Sequence, residues 1–214
     1  MLSKRLKAIA DFVEKDKVVF DVGSDHGLLP CFLVEEGICK KVYAGDIGAG
    51  PLEHAKENIK IHHLEDKVIP ILSDGLDEAN DDVEIVIISG MGYHTIRHIL
   101  ENCDVASYDY FILQSNKDVD LLRQYLSDRH FTIEDEKIVH DGFYYEIIRF
   151  SSVWHAEYNY QEIKYGPILL KNRDEVFIEF LEDKRRRLVE INKKAHSVEY
   201  AKTIKEIEEI VYNI

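Results

Sequence analysis

Leu2, Leu6, Ile9 and Val13 fall on one helical stripe, with Lys4, Arg5 and Lys7 between them and Ser3 in N-cap position. The chain is therefore predicted to open with an amphipathic helix. The period then changes. Short β-branched runs at 18–22, 42–46, 68–72, 83–88 and 108–113 alternate with helix-like segments near 28–37, 50–61, 92–102 and 118–128. Such alternation implies a parallel sheet covered by helices on both faces. Two further strand-like pieces, FTIEDEKIVH and GFYYEIIRF, are joined by the turn dipeptide Asp141-Gly142, which predicts a terminal antiparallel hairpin.

From about residue 153 the texture differs. A loop is expected through Tyr165-Gly166-Pro167, then a stripe at Phe177, Leu181, Leu188, Ile191, Ala195 and Val198. Lys184 fills the missing slot, where its aliphatic stem can lie along an apolar seam. The stripe resumes out of phase at Ile204, Ile207, Val211 and Ile214, which fits two helices folded into an antiparallel, coiled-coil-like hairpin. The expected organisation is an α/β domain over residues 1–152 and a helical domain over 153–214. The seam can close within one chain or between two, with a monomer as the favoured form. Five parallel strands followed by a hairpin give a seven-stranded, mostly parallel, Rossmann-like sheet, the layout of class I S-adenosylmethionine methyltransferases. That is an analogy of fold and leaves activity open.

The chain has 214 residues, 45% hydrophobic and 32% charged, enough for one sizeable core and a smaller appendage. It lacks a run of about 18 apolar residues, and MLSKRLKAIADF lacks the apolar core of a secretion signal, so a cytoplasmic protein without a membrane segment is expected. Cys31, Cys39 and Cys103 form no CxxC pair and read as reduced, packed thiols without structural zinc. The net charge of −14 argues against a polyanionic partner until its distribution is considered. Residues 1–150 carry −13 and residues 151–214 only −1, and the latter contain the run Lys184 to Arg187.

Candidate chemistry begins at VVFDVGSDHG. A strand ending in Asp21 and turning through Gly23 and Gly27 into a helix builds a cofactor seat at the carboxyl end of a parallel sheet. A dinucleotide pyrophosphate needs glycine where this chain has Asp25, and a carboxylate there would repel phosphate. S-adenosylmethionine carries a sulfonium and an ammonium instead, so an acid-lined turn suits it. Asp46 ends the second strand, 25 residues after Asp21, near the spacing that sets a carboxylate on a cofactor ribose. Asp74-Gly75 closes the third, where an acid can accept a hydrogen bond from an adenine amino group. The plainer alternative is that Asp, Gly and Ser are common turn residues. The fourth strand ends IISGMGYHTI, without the Asn/Asp-Pro-Pro-aromatic element of exocyclic-amine methyltransferases. Gly90-Met91-Gly92 leaves a small, open loop that could admit a base with a free ring nitrogen.

Pro30-Cys31 lies inside the first helix after the turn and reads as a core cysteine rather than a nucleophile. His94 and His98 have the i, i+4 spacing of a metal pair but lack a third ligand nearby, so no metal is expected. His26 borders the turn, where a base or phosphate contact and a local backbone bond are equally open.

The chain resembles the bacterial tRNA (adenine-N1)-methyltransferases that act on adenine 22. The resemblance runs through LSKRL at 2–6, DVGSDHGLLPCFLV at 21–34, GP at 50–51, SDGL at 73–76, SGMG at 89–92, LQSN at 113–116, YYEI at 144–147 and YGPIL at 165–169. It implies a methyltransferase domain followed by a coiled-coil domain that helps to hold tRNA. It also implies S-adenosylmethionine as cofactor, bound by Asp21, Gly23, Ser24, Gly27, Asp46, Ile47, Asp74, Gly75 and Gly90, with Asp25 as catalytic acid. His26, Met91, Gly92 and Tyr93 would face the base, and Lys4, Arg5, Arg185 and Arg186 would reach RNA phosphates. Asp46, Tyr93 and Ser115 stand where the family usually has Glu, Gly and Pro, and Tyr93 would add a ring beside the base pocket. The competing expectations are a class I methyltransferase with another substrate and a non-catalytic RNA-binding module of the same fold.

Overall fold

The computed structural model describes residues 2–212. Helix α1 (Lys4–Ala10) is capped by Ser3, whose side chain accepts from the Leu6 N–H. The strands are β1 (Lys17–Val22), β2 (Cys39–Asp46), β3 (Val68–Leu72), β4 (Ile85–Met91), β5 (Tyr110–Ser115), β6 (Phe131–Asp141) and β7 (Phe143–Trp154). Helices α2 (Leu28–Glu35), α3 (Ala49–Ile61), α4 (Tyr93–Glu101) and α5 (Val119–Asp128) intervene. The sheet order is β3-β2-β1-β4-β5-β7-β6; β1 to β5 run parallel and β7 pairs antiparallel with both β5 and β6. The order reverses between β1 and β4, and ligands of open α/β sheets bind at the carboxyl ends beside such a switch point.

Two apolar layers bury the sheet, one around Phe20, Val86, Ile96 and Phe111, the other around Ile9, Leu33, Val42 and Ile112. Cys31 and Cys39 lie in the second layer, and burial pushes the Cys31 thiol up to about 11, as expected of a core thiol.

The stretch expected as a loop near Tyr165-Gly166-Pro167 is instead two short helices, α6 (Tyr160–Tyr165) and α7 (Pro167–Asn172). Asn159 and Glu162 form a reciprocal capping box at α6. Gly166 (φ +92°) separates the two helices, and a Cβ on it would sit 2.7 Å from Glu136 Oε2. That carboxylate accepts from the Ile168 N–H and pairs with Arg123 Nε at 2.7 Å, while Arg123 Nη2 holds Glu146 at 2.6 Å. The buried ions thus join α5, the hairpin and the first C-terminal helices.

Helices α8 (Glu175–Ala195) and α9 (Val198–Tyr212) pack together behind a turn at His196. Phe177, Leu181, Ile207 and Ile210 close the seam against Ile138 of β6. The seam is shorter than its periodicity implied. Ile191 and Val198 are exposed, with Val198 opening α9 instead of ending α8, because among the described residues neither joins the apolar cluster of the seam; Ile214 lies outside the described residues. Among those residues no helix is long and apolar enough to cross a membrane.

Candidate active site

The turn after β1 hangs on β2: the Gly23 and Ser24 N–H groups both donate to Gly45 O at 2.9 Å. Gly23 has φ +72°, which favours glycine, and a Cβ there would meet Met91 Cε at 2.3 Å and push the flexible Met91 end off the turn. Asp25 also has positive φ, +50°, which Asp tolerates better than most residues. Its N–H donates to Asp46 Oδ2 at 3.2 Å, while Asp46 Oδ1 accepts from the Gly48 N–H at 2.8 Å. One carboxylate at the end of β2 therefore fixes two loops.

A hollow of about 360 Å³ opens at the switch point, lined by Asp21, Gly23, Ser24, Asp25, His26, Gly90 and Met91, with Arg5 and Leu6 from α1. Asp21 is 4% exposed. Burial pushes its carboxyl up to about 7 against the opposing pull of Ser24 and the Arg5 guanidinium, and Asp46 adds to the rise. Ser24 Oγ is buried without a well-formed hydrogen bond. The Asp25 side chain is 65% exposed, with His26 Nε2 at 3.6 Å from Oδ1. His26 also stacks on His54 at 5.0 Å.

Gly90 is the extra residue of a bulge: Ser89 pairs with Gln114 and Met91 with Ser115. Side-chain amides replace the missing ladder bonds, the Gly90 N–H donating to Gln114 Oε1 (3.1 Å) and Asn116 Nδ2 to Gly90 O (2.7 Å). Such bulges re-aim chain next to active sites. Gln114 and Asn116 belong to the LQSN motif, yet their role was not legible, since it depends on a pairing between distant strands.

Several expected residues are relocated. Arg5 is not a free phosphate contact: Nη1 donates to Gln114 Oε1 at 2.5 Å and Cζ lies 5.5 Å from the Tyr145 ring centroid. Its own N–H donates to Asp141 Oδ2 at 3.1 Å, so the hairpin tip holds α1 over the hollow. Tyr93 does not face a base pocket. It shares the core-facing stripe of α4 with Ile96 and Leu100 and is buried. Arg185 pairs with Glu208 at 3.2 Å and Arg186 with Asp183 at 3.4 Å, both away from the hollow. Lys4 is exposed on α1.

At the ends of β2 and β3, Ile47 is 70% exposed. Asp74 and Gly75 line a separate hollow of about 200 Å³ with His98, Ile99 and Asn102. Among the described residues no three His, Cys, Asp or Glu side chains gather to hold a metal ion.

A switch-point hollow lined by the acids Asp21 and Asp25, with Asp46 at the next strand end holding the turn, defines in a sheet of this order a Rossmann-like class I methyltransferase. A family model described as a methyltransferase domain matches residues 2–148. The tRNA (adenine(22)-N(1))-methyltransferase of Bacillus subtilis is 30% identical over 187 residues, covering 83% of this chain and 78% of that protein. The chain belongs to that methyltransferase family. A candidate tRNA (m1A22) methyltransferase of Streptococcus pneumoniae, solved with S-adenosyl-L-methionine, superposes with a TM-score of 0.90 at 32% identity over 99% of this chain and 100% of that one. Mycoplasma capricolum TrmK with S-adenosyl-homocysteine gives 0.83 at 28% identity, over 100% and 97%.

Proposed function

We propose that this chain transfers the methyl group of S-adenosylmethionine to N1 of adenine 22 in tRNA, as a cytoplasmic monomer. Residues 1–152 serve as the methyltransferase domain and 153–214 as the helical domain that helps to hold tRNA. The observation that carries the reading is the buried Asp21 carboxyl beside the acids Asp25 and Asp46, a seat that gains from a cationic occupant.

The residues fit the cofactor. The flexible Met91 end lies over Gly23, where a Cβ would meet its Cε at 2.3 Å, and can swing aside for an occupant, and Ser24 Oγ is buried beside Asp21 without a well-formed hydrogen bond. A cation beside Asp21 offsets the cost of burying its charge. The Arg5 guanidinium, pinned by Gln114, offers a partner for a carboxylate. Asp46 can accept from ribose hydroxyls, Ile47 presents an apolar face to a purine, and Asp74 can accept from its amino group. Gly27 and Gly75 let Ala55 of α3 and Ile99 of α4 pack close against the two turns, and Gly90 lines the hollow.

When bound, S-adenosylmethionine supplies an electrophilic methyl group. The chain positions the base. N1 of adenine is nucleophilic only when unpaired, so the base must leave any helical stack. Met91 and Gly92 leave room for it beside the hollow, and His26 flanks the entrance. Asp25 accepts a hydrogen bond from the exocyclic amino group. That bond strengthens as positive charge spreads from N1 during transfer, which favours the transition state over the ground state. Asp25 need not remove a proton in this role.

The test is Asp25→Asn. Calorimetry should give an S-adenosylmethionine affinity within about twofold of wild type, while single-turnover methylation of tRNA falls about a hundredfold or more. A wild-type rate from the D25N protein would reduce Asp25 to a turn residue.

A further inference from the structure

Two hollows outside the cofactor seat share Asn116 and Tyr144. One, of about 640 Å³, lies between the β6–β7 tip and α8; the other, of about 240 Å³, lies between the end of β5, the start of α5 and α8. Together they form a trough. It adjoins the reacting end, because Asn116 Nδ2 is bonded to Gly90 O and Gly90 lines the cofactor hollow.

The trough's walls combine flat rings and cations. Phe143 at the hairpin tip is 75% exposed. Tyr144 stands 4.6 Å from His140 and edge-on to Phe180 at 5.4 Å. Lys184 Nζ lies 5.9 Å from the Phe180 centroid and 5.8 Å from that of Tyr165. Lys117 Cε passes 3.7 Å from where a Gly92 Cβ would stand, so its side chain crosses the Gly90-Met91-Gly92 loop. Asp118, Asp120 and Glu146 also line this end. Glu146 is held by Arg123, and among the described residues neither Lys117 nor Lys184 forms an ion pair. Arg187, paired with Asp183, completes the far rim. In a chain of net charge −14, two lysines without ion pairs in a trough that also holds the exposed Phe143 and the half-buried Tyr144 and Phe180 match an anionic, planar ligand.

We propose that this trough binds the unpaired nucleotides flanking the methylated adenine, with their bases stacked on Phe143 and Tyr144 and their phosphates met by Lys117 and Lys184. Single-stranded nucleic acid is bound by this pairing of aromatic platforms with a cationic track. The proposal rests on the tRNA reading above and adds where the strand runs.

Phe143→Ala and Lys184→Met test it, since Phe143 is solvent-facing and Met keeps the Lys184 stem in the seam. Fluorescence anisotropy should show tRNA binding weakened about tenfold by Phe143→Ala. Lys184→Met should lower the salt slope by about one. Calorimetric affinity for S-adenosylmethionine should stay at the wild-type value in both. Unchanged tRNA affinity and salt slope in both variants, with a wild-type protein that methylates tRNA, would overturn the trough and leave the function standing. If wild type methylates no tRNA, the function fails. The trough is then judged on a ten-nucleotide unstructured RNA: weaker binding by both variants supports it, and equal binding overturns it. Self-association abolished by Phe143→Ala with RNA binding unaltered would also overturn it, in favour of a second copy.

Discussion

Replacing Asp21 by Asn should separate stability from cofactor binding. The carboxyl is buried and pushed up to about 7, chiefly by burial, with Arg5 and Ser24 opposing and Asp46 adding. An acid whose folded pKa lies above its unfolded one binds more protons in the native state. Its favourable contribution is therefore complete below roughly pH 4 and lost as pH rises through about 7. At 1.36 kcal/mol per pKa unit the full penalty at alkaline pH is about 4 kcal/mol. Relaxation and the lost attraction to Arg5 reduce what Asp21→Asn recovers to about 1–2 kcal/mol, or a Tm rise of about 2–8 °C in a chain of this size. Thermal denaturation of the cofactor-free protein should show this rise at pH 8 and only about a third of it at pH 5. Calorimetry should show weaker S-adenosylmethionine binding by the D21N protein. For wild type, proton release on binding near pH 6.5, measured in buffers of different ionisation enthalpy, is expected. An equal fall in Tm at both pH values, or binding without proton release, would refute the burial penalty on which the seat's preference for a cation depends.

Gly23→Ala forces a side chain onto a +72° φ and into Met91; a stability loss of about 1–3 kcal/mol is expected by chemical denaturation, together with loss of calorimetric cofactor binding. Arg123→Ala leaves Glu136 buried without its ion partner, which should cost about 3–5 kcal/mol. The same change should raise proteolysis within α6 and α7, because the Glu136 carboxylate also anchors the Ile168 N–H.

What the sequence made legible was local. Asp21, Gly23, Asp25 and Gly27 sit within one turn, so spacing alone put them together at the end of β1, and the β-α alternation predicted the sheet to within a few residues. What it concealed depends on contacts between distant parts of the chain. Arg5 meets Gln114 across 109 positions, and no local pattern marks an arginine on a wet helical face as part of a cofactor hollow. The Gly90 bulge exists only because β4 and β5 slip by one residue. Tyr93 could have been placed from sequence, since Ile96 and Leu100 share its helical phase. The Asn159-x-x-Glu162 capping box was likewise visible before α6 was. The exposed ends of the C-terminal seam teach the opposite lesson: periodicity marks an apolar face, but only an opposing layer buries it.

An acid-lined seat that delivers a methyl group to the ring nitrogen of an unpaired adenine in tRNA leaves a defined product. Wild-type protein incubated with isotopically labelled S-adenosylmethionine and unmodified tRNA, followed by nuclease digestion and mass spectrometry, reads that product. Labelled N1-methyladenosine at adenine 22 and at no other position is the predicted result. Unlabelled RNA from protein that binds the cofactor, or label on the exocyclic N6 amine, would contradict it.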